Sequence, residues 1–140
     1  MADAPKTLPT EASVADFIAA VPDARRRAEA DTVCRMLEEV SGHPPVMWGP
    51  SIVGFGRYQY VYASGREGIW PIIGFSPRKA ALTLYIMPGF EARPDLMARL
   101  GPVKTSVSCL YIPRLDKVDA GALRDLSVWS VQTMRDRYPA

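Results

Sequence analysis

Residues 48–87, WGPSIVGFGRYQYVYASGREGIWPIIGFSPRKAALTLYIM, decide the fold. Short runs of β-branched and aromatic residues alternate here with the turn-forming sequences SGREG and SPRK. Apolar runs that are separated by glycine and proline in this way are typical of β-hairpins. We therefore predict a meander of four strands at about residues 52–56, 58–63, 69–75 and 81–87.

The last of these strands is predicted to have two unlike faces, because successive side chains of a strand point to opposite sides. Its apolar face carries Leu82, Leu84 and Ile86. Its other face carries Thr83, Tyr85 and Met87. The second predicted strand likewise places three aromatic residues on one side, namely Tyr58, Tyr60 and Tyr62. One face of the sheet is therefore expected to be apolar and the other aromatic and mildly polar.

Two helices are predicted before the meander. Ser13 followed three residues later by Asp16 resembles a capping box, which favours a helix at about residues 14–20. A second helix at about residues 22–41 follows from an apolar stripe with three- and four-residue spacing, opened by a proline and closed by Gly42. That stripe consists of Ala30, Val33, Cys34, Leu37 and Val40.

The chain after the meander predicts a short helix at about residues 94–100, a strand at 107–112 and a long helix at 119–137. Asp119 is a suitable N-cap for the last of these. Strands and helices do not alternate, as a parallel sheet would require. We therefore predict an α+β domain with a mainly antiparallel sheet of about five strands, and with the N-terminal and C-terminal helices packed on one face.

Length and composition predict one soluble, cytoplasmic domain. A chain of 140 residues that is 48% hydrophobic suits a single core, at residues 13–138 after a disordered lead-in at 1–12. No apolar run approaches the roughly 20 residues of a membrane helix, and the N-terminus lacks the pattern of a secretory signal. A net charge of +2 with a pI near 8.6 is too mild to indicate a nucleic-acid partner.

Cysteine and histidine usage does not predict a dedicated metal site or an activated nucleophile. Cys34 and Cys109 lie 75 positions apart, and neither belongs to a CxxC pair or a Cys/His cluster. Both are expected to be reduced and to pack as small hydrophobic side chains. His43 is the single histidine and precedes two prolines, as a connector residue would. We therefore assign no catalytic residue, metal ligand or cofactor.

The strongest polar signal lies at the tips of the predicted hairpins. Residues 48–87 carry four cations and one acid, a net charge of +3, whereas residues 11–41 carry a net charge of −3. If both tips lie at one end of the sheet, Arg66, Arg78 and Lys79 come together and can hold a carboxylate or phosphate. An ordinary solvated turn, a contact with a protein partner and simple packing of the aromatic rings are the alternatives. The candidate ligand-binding residues are Trp48, Tyr58, Tyr60, Arg66, Glu67, Ser76, Arg78, Lys79 and Tyr85.

Three segments of the chain are similar to a known family: WGPSIVGFGRYQYVYASGREG, GFSPRKAALTLY and SCLYIPRL. Over about residues 12–135 the chain resembles the YdhG-like family of small bacterial domains of unknown function. Some relatives are described as frataxin-like intracellular iron chaperones, so the resemblance implies iron carriage as a possible alternative function. The family typically has a Gly-Lys pair before the SCLYI strand, where this chain reads Lys104-Thr105-Ser106-Val107. The chain therefore has neither the glycine nor the lysine of that pair.

We expect a non-enzymatic binding module for an anionic small molecule or for an acidic segment of a protein partner. For the iron-chaperone alternative, the second helix offers the acids Glu29, Asp31, Glu38 and Glu39. Arg27 and Arg35 would compete for these acids and repel a cation, so any iron site is expected to be weak. A further alternative is a cysteine-dependent enzyme, in which Lys104 activates Cys109 as a thiolate.

Overall fold

The computed structural model describes residues 7–61, 65 and 67–139. Within these residues the chain forms four α-helices, eight β-strands and one 3-10 helix. The helices are α1 (Val14–Ala19), α2 (Ala24–Ser41), α3 (Pro94–Leu100) and α4 (Ala120–Arg137), and the 3-10 helix is Leu115–Lys117. The strands are β1 (Pro45–Trp48), β2 (Ile52–Phe55), β3 (Tyr58–Val61), β4 (Glu67–Trp70), β5 (Ile73–Pro77), β6 (Leu82–Tyr85), β7 (Lys104–Thr105) and β8 (Cys109–Ile112).

The described strands form a six-stranded sheet in the order β1-β2-β5-β6-β8-β7, and β3 and β4 form a separate two-stranded sheet. Every described pairing of neighbouring strands is antiparallel. The predicted α+β class with a mainly antiparallel sheet is confirmed. The β3–β4 hairpin is inserted between β2 and β5, which pair with each other through Val53 with Phe75 and Phe55 with Ile73.

The prediction of one continuous third strand at residues 69–75 was wrong. These residues belong to two strands, the end of β4 and the start of β5. Pro71 separates the two, since a proline has no N–H to donate to a sheet ladder. Trp70 before it pairs with Tyr58 in the hairpin, and Ile73 after it pairs with Phe55 in the main sheet. Two strands, β1 and β7, were not predicted, and β8 begins two residues later than expected.

Capping side chains set the helix boundaries. Ser13, Asp23 and Asp119 each accept a hydrogen bond from the backbone amide three residues ahead, at the start of α1, α2 and α4. Gly42 ends α2 with φ of 73°, in the left-handed region that glycine adopts without strain. The predicted caps at Ser13, Gly42 and Asp119 are confirmed, while α2 begins after Asp23 rather than at Pro22. In the described part of the chain, no helix combines the length and apolar character that crossing a membrane requires.

The main core lies between one face of the six-stranded sheet and helices α2 and α4. Phe55 and Phe75 stack on this face with their ring centroids 6.5 Å apart. Each fully buried apolar side chain of this size contributes about 1.5–3 kcal/mol to folding, so this layer is the main source of stability. Helix α4 contributes a stripe of buried residues to this core, namely Leu123, Leu126, Ser130 and Met134.

The opposite face of the sheet is covered by aromatic rings near its centre. Gly54 and Gly74 pair across β2 and β5. A Cβ atom on Gly54 would lie 2.5 Å from Cδ1 of Trp48 and 2.7 Å from Cγ of Pro71, so only glycine fits there. Trp70 reaches this patch and contacts Trp48 with ring centroids 6.1 Å apart in an edge arrangement. The hairpin is thereby fixed to the aromatic face that the sequence predicted.

Part of the predicted lead-in covers the edge of β1. Residues 1–6 lie outside the described residues, whereas Pro9 forms a β-bridge with Trp48. The N–H of Thr10 donates to the carbonyl oxygen of Met47 at 2.8 Å. These contacts pair the outer edge of β1 with the preceding chain, so this end of the lead-in packs on the sheet instead of being disordered.

Candidate functional site

A cavity of about 440 Å³ lies between the start of α2 and the turn that joins β5 to β6. Its volume lies within the range of about 300–1,000 Å³ that is common for small-molecule sites. It combines a short apolar wall with three cationic side chains and one carboxylate. The lining residues are Val21, Pro22, Asp23, Arg25, Arg26, Pro77 and Lys79. We refer to it as the basic cleft.

The start of α2 carries three consecutive arginines, residues 25–27, which follow the N-cap Asp23 and Ala24. The first turn of a helix has a partial positive charge, so cations are unfavourable there unless other groups compensate them. Asp23 supplies part of that compensation, since its carboxylate accepts the N–H of Arg26 at 2.8 Å. The three guanidinium groups have different surroundings, and those surroundings decide which of them can contact a ligand.

Arg26 is a structural anchor. Its side chain is buried, with the residue only 5% exposed, and its Nη1 donates to Oε1 of Glu29 at 2.6 Å. The same guanidinium donates to the carbonyl oxygens of Ile112 at 3.4 Å and Pro113 at 3.2 Å. Glu29 also accepts the backbone N–H of Leu115 at 2.9 Å. This buried pair joins α2 to the end of β8, and most of the donors of Arg26 are committed to it.

Arg25 and Lys79 are the cations of the basic cleft that reach solvent. The side chain of Arg25 is 46% exposed, and its Nε lies 3.7 Å from Oε2 of Glu29. Lys79 is exposed in the turn after β5. The neighbouring Arg27 is not among the residues that line the cleft, and its Nη1 donates to the carbonyl oxygen of Val21 at 2.6 Å, which closes the α1–α2 connection.

A second cavity of about 270 Å³ adjoins the basic cleft and shares Val21, Pro22 and Pro77 with it. Ser76 and Arg78 line this second cavity. Ser76 is buried, and its hydroxyl donates to the carbonyl oxygen of Ser51 at 2.6 Å, which fixes the start of the turn. Of the turn residues, Lys79 lines the basic cleft, Arg78 lines the second cavity, and Pro77 lines both.

Arg78 remains a cation at any physiological pH. Its Nη2 donates to Oη of Tyr85 at 3.5 Å, and this hydrogen bond raises the pKa of the guanidinium above its usual value. Tyr85 also contacts Trp70, with ring centroids 6.2 Å apart in an edge arrangement. Tyr85 thus lies between the basic turn and the aromatic patch.

The predicted aromatic residues do not line the basic cleft. Trp48 is buried, only 2% exposed, beneath the hairpin. Tyr58 and Tyr60 lie on β3 and line a different cavity together with Trp70. The structure therefore divides the predicted site residues into a basic group around Lys79 and an aromatic group around Trp70.

Glu67 and Arg66 belong to the β3–β4 hairpin. Glu67 is exposed, and Nε2 of Gln59 donates to its Oε1. Arg66 lies outside the described residues, as does the tip at residues 62–64. The hairpin joins the main sheet at the start of β5, whereas Arg78 and Lys79 follow the end of that strand. The predicted meeting of the two tips stays a prediction.

The two cysteines lie in ordinary packing positions. Burial, together with the negative charges of Glu38 and Asp31, raises the pKa of the Cys34 thiol to about 11. Cys109 is half-buried in β8, where it pairs with Tyr85 of β6. Lys104, the residue expected to activate it, pairs with Tyr111 instead.

The acids that the iron alternative needs are largely engaged. Glu29 is in the buried pair with Arg26, Asp31 accepts from Arg35 at 2.8 Å, and Glu39 accepts from Arg124 at 3.0 Å. Among the described residues, no group of three or more His, Cys, Asp or Glu side chains is placed to hold a metal ion.

Sequence reasoning missed Arg25 and Arg26 as site residues. Their signal was the run of three arginines in a first helical turn, where the helix dipole disfavours cations. It also missed Trp70 and Met87, because their importance depends on how the hairpin folds over the sheet.

No family model, curated protein or solved structure matches the chain. The resemblance to the YdhG-like family therefore stays a prediction, and the function has to be argued from the site itself.

Proposed function

We propose that the protein binds a small anion, carrying a carboxylate or a phosphate, in the basic cleft. The observation that supports this proposal best is that Arg25 and Lys79 line the same cavity, which has a volume of about 440 Å³. These residues come from different elements, the start of α2 and the β5–β6 turn. An anion between them would receive charge-assisted hydrogen bonds from both sides.

The surroundings also limit which anion fits. The N-terminus of α2 adds a partial positive charge, which favours a negative group at this end of the cleft. Asp23 would repel a negative group, because its carboxylate also lines the cleft. We therefore expect the anionic group of the ligand to lie towards Arg25 and Lys79, and an uncharged or hydroxyl-bearing part to face Asp23.

A double variant tests the proposal. Arg25→Gln/Lys79→Gln removes both exposed cations of the cleft, and Arg35→Gln/Lys117→Gln is the matched control. The control has the same net charge, changes one arginine on the same helix, and changes one exposed lysine elsewhere. The probes are inorganic phosphate, citrate and a tetraglutamate peptide, each compared with sodium chloride at equal ionic strength.

We expect at least one probe to raise the melting temperature of the wild-type protein, because a ligand that binds only the folded state stabilises it. That shift should be lost in Arg25→Gln/Lys79→Gln and kept in the control. A response to the peptide alone would assign the cleft to an acidic segment of a partner. The proposal fails if no probe shifts the melting temperature, or if both double variants lose the shift equally.

A further inference from the structure

The aromatic group forms a cavity of its own, with a volume of about 380 Å³. The residues that line it are Tyr58, Tyr60, Trp70 and Met87. We refer to it as the aromatic cavity. It is distinct from the basic cleft, and the two share none of their lining residues among those the structure describes.

The register of the hairpin builds this cavity. Tyr58 pairs with Trp70, and Tyr60 pairs with Gly68, so these residues share one face of the two-stranded sheet. The ring of Tyr60 lies over Gly68, where the Cβ of any other residue would collide with it. Glycine at position 68 therefore leaves the space that the ring of Tyr60 occupies.

Contacts outside the cavity hold two of the rings in place. Trp70 lies edge-on between Trp48 and Tyr85, with centroid distances of 6.1 Å and 6.2 Å. Tyr58 packs against Tyr138 of the chain end, with ring centroids 4.6 Å apart. A binding site whose side chains are already fixed loses little conformational entropy when a ligand enters.

The chemistry of the lining favours a cation that needs no hydrogen-bond acceptors. Among the described residues that line the cavity, none is charged. The faces of tyrosine and tryptophan rings carry negative electrostatic potential, which attracts a cation held above them. Among the described lining residues there is no carboxylate to replace the hydrogen bonds to water that a primary ammonium would lose here. A quaternary ammonium has no N–H groups and avoids that cost.

We propose that the aromatic cavity binds a trimethylammonium group. This inference is independent of the anion proposed for the basic cleft. In this proposal the methyl groups contact the rings of Tyr58, Tyr60 and Trp70 and the thioether of Met87, which line the cavity. The group could arrive on a soluble molecule such as choline or as the headgroup of a lipid, and both sources share this chemistry.

The first test is a calorimetric titration with three ligands of similar size. Choline carries the trimethylammonium group, 3,3-dimethylbutan-1-ol is its uncharged isostere, and ethanolamine is its primary ammonium counterpart. We expect choline to bind with a dissociation constant on the order of 1 mM, and both analogues at least about tenfold more weakly. Equal binding of the isostere, or no saturable binding of choline, overturns the proposal.

A second readout needs no variant. Protons held against the face of an aromatic ring resonate upfield, so the methyl signal of choline should move upfield as protein is added.

Co-sedimentation with phosphatidylcholine vesicles then identifies the source of the trimethylammonium group. Sedimentation of the protein assigns the site to a lipid headgroup, and choline binding without sedimentation assigns it to a soluble molecule.

Matched variants locate the site. Tyr60→Leu removes a ring, Tyr60→Phe keeps it, and Tyr111→Leu removes a tyrosine of the main sheet that does not line the cavity. We expect choline binding to fall at least about tenfold in Tyr60→Leu and to change by less than about threefold in the other two. Equal losses in Tyr60→Leu and Tyr111→Leu would contradict the assignment. If Tyr60→Leu does not fold, the upfield methyl shift in the wild-type protein still decides the question.

Discussion

At the scale of single residues, the buried pair of Arg26 and Glu29 shows how a charge can be kept inside a small domain. Both side chains are almost fully buried, and each also bonds to the backbone of the segment after β8. An ion pair of this kind contributes little compared with an apolar pair of similar size, but losing one partner leaves a buried charge without compensation. The arrangement therefore matters for holding α2 in position more than for net stability.

Glu29→Gln should destabilise the protein by about 2–3 kcal/mol, because the guanidinium of Arg26 loses its counter-charge while remaining buried. Urea unfolding followed by circular dichroism measures the change. Glu38→Gln is the matched control, since Glu38 is an exposed acid on the same helix and should cost less than about 0.5 kcal/mol. Equal losses in the two variants would show that the pair is not the cause.

Because the pKa of Cys34 is raised in the folded state, the free energy of unfolding depends on pH. The folded state holds the thiol proton up to about pH 11, whereas the unfolded chain releases it near its ordinary value of about 9. Because the unfolded state then binds fewer protons, this thiol makes stability fall as pH rises from about 9 to 11 and has no effect below that window. Cys34→Ala should therefore show a shallower loss of stability over this range in denaturant titrations. An unchanged slope would contradict the burial argument.

At the scale of elements, the aromatic face depends on the absence of side chains at two paired glycines. Gly54→Ala should destabilise the protein by about 1–3 kcal/mol, because its Cβ would overlap Trp48 and Pro71. Gly121→Ala at the start of α4 is the control, since its added Cβ would lie 3.3 Å from Oδ1 of the N-cap Asp119, a contact that a small shift relieves, so its cost should stay below about 0.5 kcal/mol. Thermal unfolding of both variants measures the difference. A neutral Gly54→Ala would mean that Trp48 and Pro71 do not lie over Gly54 as described.

Elements whose boundaries depend on local interactions could be predicted from the sequence. The caps at Ser13 and Asp119 and the left-handed Gly42 act within a few residues, so the helix ends were predicted closely. The break at Pro71 was missed, because its flanking residues are equally suited to one long strand. The short strand β7 was missed as well, since only its pairing with β8 makes Lys104–Thr105 a strand.

At the scale of the whole molecule, the two proposed sites lie on separate parts of the fold. The basic cleft joins the start of α2 to the β5–β6 turn, and the aromatic cavity lies under the inserted hairpin. The sequence predicted the cations of the turn and the tyrosines of the hairpin but placed them in one site. Lys79 and Arg25 line the same cavity because of how the chain folds, and their spacing in the sequence does not indicate that they are neighbours.

The separation of the two sites makes a prediction of its own. Arg25→Gln/Lys79→Gln should leave choline binding unchanged, and Tyr60→Leu should leave the response to the anionic probes unchanged, because the two cavities share no described lining residue. Calorimetric titration of each variant with each class of ligand measures the coupling. A loss of both activities in a folded variant would show that the two groups of residues act as one site.

The central claim is that an anion binds in the basic cleft, and the most direct test is an NMR titration of the labelled protein with inorganic phosphate. The expected result is a set of saturable shifts at the backbone amides of Arg25, Arg26, Arg78 and Lys79, with the amides of Tyr60 and Trp70 unchanged. Shifts that are spread over all basic surfaces and grow linearly with phosphate, or that are absent from these four amides, would contradict it.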